Sequence, residues 1–392
     1  MRRRRGRAFF VLLAFSVINS LVVVVPATAA PDTDGAARVR YDQWHLRYLG
    51  TDEANKISKG AGVTVAVPDT GVDPHPDLIR NLLPGTDLIP GGHGDGREDR
   101  DSHGTSMAGL IAAHGRGSTR GALGIAPEAK IIPIYGIPTA RQGNSATLAS
   151  AIRWAAAHRA SIISVSGATG ATPELEEAVG EAISANIVII AGAGNRPDDS
   201  RVGYPAAYDG VIAVAGVDQK GQHADVSVTG SEIDIAAPAV DIVSTSIDGK
   251  YSKGTGTSSA TAIVAGVAAL IRSKYPNLSA DEVAHRLTAT AVDKGPPGRD
   301  DQYGFGVVDP VAALTADVPT RGARPTSGAP ATSAGVATTT AAAAPTPTGD
   351  QGDGGATVRG LATLGVLVAA GGAWALVRRR RRADDPPPRI SR

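Results

Sequence analysis

The 392-residue chain predicts an α/β fold, a doubly wound sandwich with a mostly parallel central sheet. Two observations lead to this prediction. Short, almost wholly aliphatic segments recur between residues 63 and 217, and segments with helical spacing of apolar residues separate them. Such alternation joins parallel strands that are buried on both faces, and functional sites in these folds form at the carboxyl ends of the strands.

Each element follows from its own local pattern. The segments that we interpret as strands are residues 63–67, 131–134, 162–165, 187–190 and 211–217. Helices are predicted over residues 146–158, 174–186, 258–275 and 279–291. The third helix is stopped by Pro276, and the fourth opens with a capping box formed by Ser279 and Glu282.

The composition excludes several classes of function. The chain has no cysteine, which rules out disulfides, zinc–thiolate sites and a cysteine nucleophile. Ten arginines lie in two terminal runs, residues 2–7 and 378–382, and without them 29 basic residues stand against 38 acidic ones, a net charge of −9. An acidic body argues against nucleic acid as a partner.

Both ends of the chain predict contact with a membrane. Residues 1–30 have the layout of a secretory signal peptide, cleaved after Ala29 or Ala30, with an uncleaved membrane helix as the alternative. Residues 359–377, apolar from Gly360 onward, are just long enough to cross a bilayer as a transmembrane helix, with a buried core helix as the alternative. The tail 378–392 begins with five arginines, which predicts a cytoplasmic tail and an extracellular body.

A linker is predicted between the body and this span. Residues 318–358 are dense in Thr, Ala, Pro and Gly and contain almost no large apolar side chains. Such a segment cannot bury enough surface to fold by itself. The sequence therefore predicts a single-pass protein of the cell membrane whose body stands off the bilayer on a flexible stalk.

Three short segments carry the residue types of a serine hydrolase. Asp69 follows a predicted strand, His103 opens the segment 103–109 (His-Gly-Thr-Ser-Met-Ala-Gly), and Ser258 begins a predicted helix. A serine nucleophile needs an imidazole to take its proton and a carboxylate to orient the imidazole. Taken singly, these residues could be a turn aspartate, a structural histidine and a helix N-cap. Together, in the order Asp, His, Ser, they favour a catalytic triad.

With these motifs, the chain resembles the subtilisin-like serine peptidases, whose triad has this order. Within them it is most similar to the mycosins, membrane-anchored peptidases associated with type VII secretion in actinobacteria. That similarity rests on the membrane-directed layout of the two ends and on the amino-acid sequences of residues 42–44 and 63–76. The resemblance covers about residues 40–316 and implies a subtilisin-like peptidase domain over residues 31–317 with a short N-terminal arm.

The resemblance also implies an oxyanion hole and a substrate-binding segment. Asn195 ends the run Ala-Gly-Ala-Gly-Asn and matches the oxyanion asparagine of the family, with an ordinary turn residue as the alternative. Its side-chain amide would act with the backbone N–H of Ser258. Family members pair with substrate as an extra β-strand beside a Ser-Leu-Gly segment. The residues expected at the substrate are Ser164, Val165, Ser166, Gly167, Ala193 and Gly194.

The chain departs from the family pattern in several places. Pro68 stands where the family usually has an aliphatic residue and is expected to end the ladder early. Ala262 replaces the proline that most relatives have four residues after the nucleophile. Only about ten residues lie between Ala30 and Tyr41, too few for the folding propeptide of many secreted subtilisins. Either the body folds unaided or this arm wraps around it.

The acidic residues give no metal signature. Asp99 and Asp101 lie in a charged segment without EF-hand-like spacing, and we interpret them as solvated surface charge. The sequence implies no cofactor and no metal ligands for catalysis, and it leaves structural calcium open.

These observations predict a membrane-anchored, extracytoplasmic serine endopeptidase that acts on polypeptides through an acyl-enzyme on Ser258. The resemblance implies secreted proteins as substrates and a type VII-like secretion complex as partner. A structural or interaction subunit of such a complex, with dispensable peptidase activity, is the alternative. An inactive pseudopeptidase is disfavoured because no catalytic position is lost.

Overall fold

A seven-stranded parallel sheet forms the centre of the computed structural model, which describes residues 35–138 and 144–320. The strands are β1 (Thr64–Asp69), β2 (Thr86–Asp87), β3 (Lys130–Tyr135), β4 (Ile162–Val165), β5 (Val188–Gly192), β6 (Val211–Val217) and β7 (Ile235–Pro238). Their order across the sheet is β2-β3-β1-β4-β5-β6-β7. The chain leaves β1 toward one edge and returns to β4 on its other side, so the order reverses between these two strands.

Helices surround this sheet, and a separate hairpin leads into the longest of them. The helices are α1 (Ala36–Asp42), α2 (Trp44–Tyr48), α3 (Thr51–Ile57), α4 (His103–Ala112), α5 (Ser145–Ala157), α6 (Pro173–Ser184), α7 (Thr257–Lys274), α8 (Ala280–Ala289) and α9 (Pro310–Thr315). The antiparallel strands β8 (Ile242–Thr245) and β9 (Tyr251–Gly254) form the hairpin directly before α7.

The sheet is buried on both faces, which explains its continuous apolar strands. In β5, Val188 and Ile190 belong to one hydrophobic core, whereas Ile189 and Ala191 belong to the other. Helices α4, α7 and α8 contribute to the first core, and α5 and α6 contribute to the second. The predicted doubly wound sandwich is therefore confirmed, and the predicted strands and helices end within about two residues of the observed ones.

The expectation that Pro68 ends the ladder early holds on the β4 side of β1 and is wrong on the β3 side. Strand β1 continues to Asp69 and pairs with β3 through Pro68, opposite Ile134. Ser161 donates to the carbonyl of Thr64, so the even-numbered residues of β1 face β4, and β4 pairs with β1 only as far as Ala66. The missing N–H of Pro68 therefore faces a position where no ladder hydrogen bond is required.

The N-terminal arm packs onto the body from its first described residues. Ala36 and Val39 on α1 are buried. The Arg40 guanidinium donates to the carbonyls of Gly121, Ser118 and Arg120 at 3.1–3.2 Å. Of the two alternatives for this arm, the structure supports the one in which it lies against the domain.

The other predicted segments fall largely outside the described residues. These are the signal peptide 1–30, all but the first three residues of the linker 318–358, the membrane span 359–377 and the tail 378–392. Among the helices of residues 35–138 and 144–320, none is long and apolar enough to span a bilayer.

Candidate active site

Three predicted catalytic residues lie at element ends on the carboxyl side of the sheet. Asp69 is the last residue of β1, His103 is the first residue of α4, and Ser258 is the second residue of α7. The sheet order reverses beside β1, and a crevice outside the carboxyl ends is expected at such a reversal. The topology therefore explains why residues so distant in the chain serve one site.

Asp69 and His103 form a partly buried, charge-assisted pair. Asp69 Oδ1 lies 2.7 Å from His103 Nδ1, and the Thr70 N–H donates to the same oxygen at 2.8 Å. Asp69 is 2% exposed. Because a carboxylate only accepts, Nδ1 carries the proton, which leaves His103 Nε2 free to accept another.

The electrostatic surroundings favour the protonated form of His103. Burial by itself would lower the pKa of His103, but the charge and hydrogen bond of Asp69 oppose this effect. The charges of Asp101 and Asp99 act in the same direction as Asp69, and the net result raises the pKa above 6.5. The raised pKa makes His103 a better proton acceptor than a free imidazole.

Ser258 lies in the first turn of α7, where N–H groups have no partner within the helix. Its Oγ donates to the carbonyl of Ser166 at 2.9 Å, and Ser166 Oγ donates to the carbonyl of Ser258 at 3.2 Å. Although both side chains are described, Ser258 and His103 share no hydrogen bond in this arrangement. Proton transfer therefore requires the Ser258 hydroxyl to turn from Ser166 toward His103.

Asn195 presents its amide beside the start of α7. Asn195 Oδ1 accepts from the Thr257 N–H at 2.8 Å and from the Thr257 hydroxyl at 3.3 Å. The Asn195 N–H donates to Asp199 Oδ2 at 2.7 Å. With Oδ1 held by donors, Nδ2 remains as the donor that can serve a developing oxyanion next to Ser258.

The predicted substrate-binding residues divide into two groups. Ser164, Val165 and Ala193 have at most 1% exposure, and Gly194 is also buried, so none of these offers a side chain to a substrate. The physical reason is that a strand covered on both faces hides its side chains until it ends. Beyond β4, Ser166 contacts Ser258 and Gly167 is partly exposed. Pairing of a substrate strand with the backbone of this segment stays a prediction, because side-chain burial does not decide it.

Asp99 is a residue that the sequence interpretation placed wrongly. It is 6% exposed instead of being a solvated surface charge. Its carboxylate accepts from the Thr70 hydroxyl, beside Asp69, and from the first turn of α4. No local capping pattern marks this role, because the N-cap position of α4 is Ser102 and the bond to Thr70 spans 29 positions.

No metal centre is evident in the part of the chain that the structure covers. Within residues 35–138 and 144–320, no group of three or more His, Cys, Asp or Glu side chains is arranged to hold an ion. The arrangement of Asp69, His103, Ser258 and Asn195 supplies a base, a hydroxyl and an oxyanion donor from protein groups.

Comparisons with known proteins agree with this geometry. The model of the subtilase family (Peptidase_S8) matches residues 60–306. A thermostable alkaline protease from Halalkalibacterium halodurans is 40% identical over 270 residues, which cover 68% of this chain and 71% of that protein. Subtilisin E from Bacillus subtilis is 40% identical over 260 residues, which cover 65% of this chain and 66% of that protein.

Solved structures add the mycosins to these similarities. MycP1 without its N-terminal propeptide matches with a TM-score of 0.64 and 32% identity, over 70% of this chain and 98% of that one. MycP3 matches with a TM-score of 0.61 and 35% identity, over 70% of this chain and 88% of that one. With a family model that covers more than half of its length, the chain belongs to the subtilase family and is a subtilisin-like serine endopeptidase.

Proposed function

We propose that the chain cleaves peptide bonds through an acyl-enzyme on Ser258. The observation that carries this proposal is the 2.7 Å contact between Asp69 and His103 at the edge of the sheet where α7 presents Ser258. The buried carboxylate orients the imidazole, and the imidazole activates the hydroxyl. Asn195 completes the set of proposed catalytic groups.

The proposed reaction has two half-reactions. Ser258 Oγ attacks the substrate carbonyl carbon while its proton passes to His103 Nε2, and the new oxyanion accepts hydrogen bonds from Asn195 Nδ2 and the Ser258 N–H. His103 then protonates the leaving amine as the C–N bond breaks, which leaves an ester on Ser258. A water molecule, deprotonated by His103, attacks that ester and releases the carboxylic acid and the free serine.

The proposed setting is the outer face of a cell membrane. Supporting this, residues 1–30 have the layout of a secretory signal, and residues 359–377 followed by arginines have that of a membrane anchor. The similar structures are described as MycP1 from the ESX-1 type VII secretion system and MycP3 from the ESX-3 system. We therefore propose exported proteins of a type VII-like machinery as substrates.

A second candidate function is an assembly role in such a machinery. One similar structure is described as a serine protease, MycP1, that is an essential component of the ESX-1 system. A component can be essential for its surfaces as well as for its chemistry. In this second proposal the chain contributes contacts to a secretion complex, and hydrolysis is dispensable.

The full-length chain, expressed in its membrane, tests these proposals with a fluorophosphonate probe. Labelling that both Ser258→Ala and His103→Ala abolish is the expected result, because the probe reacts only with an activated serine. Absence of labelling in a folded parent would contradict the catalytic proposal. Accessibility of the body to an added protease in intact cells tests the proposed orientation.

The Ser258→Ala variant also separates the two candidate functions. If cleavage is the contribution, export by the host machinery should change in this variant although the protein is present at its normal level. If export is unchanged in Ser258→Ala but fails when the chain is deleted, the assembly role replaces the proteolytic one.

A further inference from the structure

Asp99 is a buried carboxylate whose two oxygens accept five hydrogen bonds. Oδ1 accepts from the Thr70 hydroxyl and from the N–H groups of Asp101 and Ser102, each at 2.9 Å. Oδ2 accepts from the Thr105 N–H at 2.9 Å and from its hydroxyl at 2.6 Å. Burying a charge without hydrogen-bond partners is costly, so these five donors compensate for the burial of a carboxylate that is 6% exposed.

One effect of these bonds is to cap helix α4. Its N-cap residue, Ser102, has a left-handed backbone (φ 80°) and makes no side-chain capping bond. The N–H of Gly104 is instead satisfied by the Thr70 hydroxyl at 2.9 Å, and that of Thr105 by Asp99. His103 begins this helix, so its backbone position depends on caps supplied by two other segments.

The other effect is to hold the end of β1 against α4. Thr70 follows Asp69 directly, and its hydroxyl bonds Asp99 on one side and α4 on the other. The two elements touch through backbone: a Cβ on Gly104 would lie 2.0 Å from the carbonyl oxygen of Gly71. At so close an approach, a small shift of either element changes the geometry between Asp69 and His103.

We propose that Asp99 is a positioning residue for the Asp69–His103 pair. Its carboxylate joins the turn after β1 to the first turn of α4, and it acts on the reaction only through these two elements. This inference rests on the proposed catalytic role of His103. In this proposal the side chain of Asp99, which lies outside the triad, aligns Asp69 with His103.

The pKa of His103 provides a further readout. A residue that only stabilised the fold would leave this pKa unchanged. Three carboxylates face His103: Asp69 from the end of β1, and Asp99 and Asp101 from the loop before α4. All three raise the pKa of His103, against the lowering effect of its burial. Neutralising Asp99 should therefore shift the protonation of His103 to lower pH, in addition to disturbing its position.

The first test compares Asp99→Asn with Asp101→Asn in the full-length chain. Both variants remove one negative charge near His103, and Asp99→Asn also removes carboxylate bonds to Thr70 and Thr105. Saturation kinetics with a fluorophosphonate probe give the maximal labelling rate and the apparent affinity separately. We expect Asp99→Asn to lower the maximal rate roughly 10- to 100-fold with little change in affinity, because misalignment affects the transition state.

The control should keep its rate within about twofold while the acid limb of its labelling profile moves to lower pH, as in Asp99→Asn. Equal maximal rates for the two variants would overturn the proposal. A fall in apparent affinity without a fall in rate would do so as well, since it would indicate a substrate-binding role.

The second test uses the partner of Asp99. Thr70→Val removes the hydroxyl link and keeps the side-chain shape, and Thr70→Ser keeps the link, so the valine variant should lose more activity than the serine variant. The double variant Asp99→Asn/Thr70→Val should lose less than the product of the single losses, because both remove the same bond. Strictly multiplicative losses would contradict the proposed connection, and this comparison remains informative if Asp99→Asn alone folds poorly.

A third readout does not need any reaction. The proton between His103 Nδ1 and Asp69 should give a low-field proton NMR signal in the parent, and Asp99→Asn should shift it or broaden it through exchange. An unchanged signal would overturn the positioning role. If the parent fails to react with the probe but shows this signal, the catalytic proposal fails while the role of Asp99 in aligning the pair stands.

Discussion

At the scale of single residues, the orientation of Asn195 decides what the site can stabilise. Its Oδ1 is held by the N–H and hydroxyl of Thr257, the residue directly before Ser258. The opposite orientation would place an NH₂ group against an N–H donor. Thr257, the residue before the nucleophile Ser258, therefore also sets the direction of the oxyanion donor, Asn195 Nδ2.

Asn195→Ala should lower the maximal labelling rate by a fluorophosphonate about 100- to 1,000-fold, because one preorganised donor to the oxyanion is lost. The apparent affinity should change little, since the bond forms mainly in the transition state. Arg196→Ala is a suitable control, because the side chain of this neighbour donates to the Thr229 hydroxyl in an exposed contact. A loss in the control as large as that in Asn195→Ala would indicate a disturbed loop instead.

The raised pKa of His103 sets the acid limb of activity. Neutral His103 is the active form. Because its pKa is raised, the inactive imidazolium persists to a higher pH. Labelling should therefore fall as the pH drops through a value above 6.5. Asp69→Asn removes the main cause that raises this pKa, so its acid limb should lie at lower pH and its rate should be strongly reduced. A parent limb below 6.5 in a labelling profile from pH 4 to 9 would contradict this account.

At the scale of elements, the contact between α4 and the turn after β1 tightly constrains the site. Helix α4 begins with His103-Gly104, and Gly104 lies against the backbone of Gly71. No side chain separates these elements, so their spacing equals the closest approach of two backbones. The backbone contact between Gly104 and Gly71 therefore determines how Asp69 and His103 are aligned.

Gly104→Ala should therefore abolish labelling or reduce it by more than about 100-fold, because a methyl group 2.0 Å from the Gly71 carbonyl oxygen must push α4 away. Gly180→Ala in α6 is the matched control, since nothing lies within 4 Å of its would-be Cβ. That control should fold normally and gain up to about 1 kcal/mol of stability from better helix propensity. Near-parental labelling by Gly104→Ala would show that α4 can move without cost to the site.

At the scale of the whole molecule, the N-terminal arm joins segments that are distant in the chain. Gln43 is fully buried between α1 and α2. Its amide donates to the carbonyls of Leu123 and Val243, at 2.9 and 3.3 Å, and accepts from the Leu123 N–H at 2.9 Å. The family model begins at residue 60, so Gln43 lies outside the part of the chain that this model covers, whereas Leu123 and Val243 lie inside it.

Gln43→Ala should lower the melting temperature by several degrees, because each buried group left unpaired costs about 1–3 kcal/mol. Arg38→Ala on the same arm is the control: its side chain is 83% exposed, and its pair with Asp42 should contribute less than about 1 kcal/mol. Thermal unfolding of both variants measures the difference. Equal melting temperatures would mean that the arm adds no stability to the body.

The sequence alone determined the sandwich and the identity of the triad candidates. Aliphatic runs and helical periodicity are local properties, so β4 and β6 were predicted with the bounds that the structure has. Asp69, His103 and Ser258 stand in local motifs at element ends, and the topology brings those ends to one edge of the sheet.

Only the tertiary structure decided how those groups are held. Asp99 meets Thr70 across 29 positions, Thr257 meets Asn195 across 62, and Ser258 meets Ser166 across 92. Hydrogen bonds at such separations depend on the packing of whole elements, and a local sequence pattern carries no information about that packing. For this reason the sequence suggested a surface charge at Asp99, and it could not show that β1 keeps its pairing with β3 through Pro68.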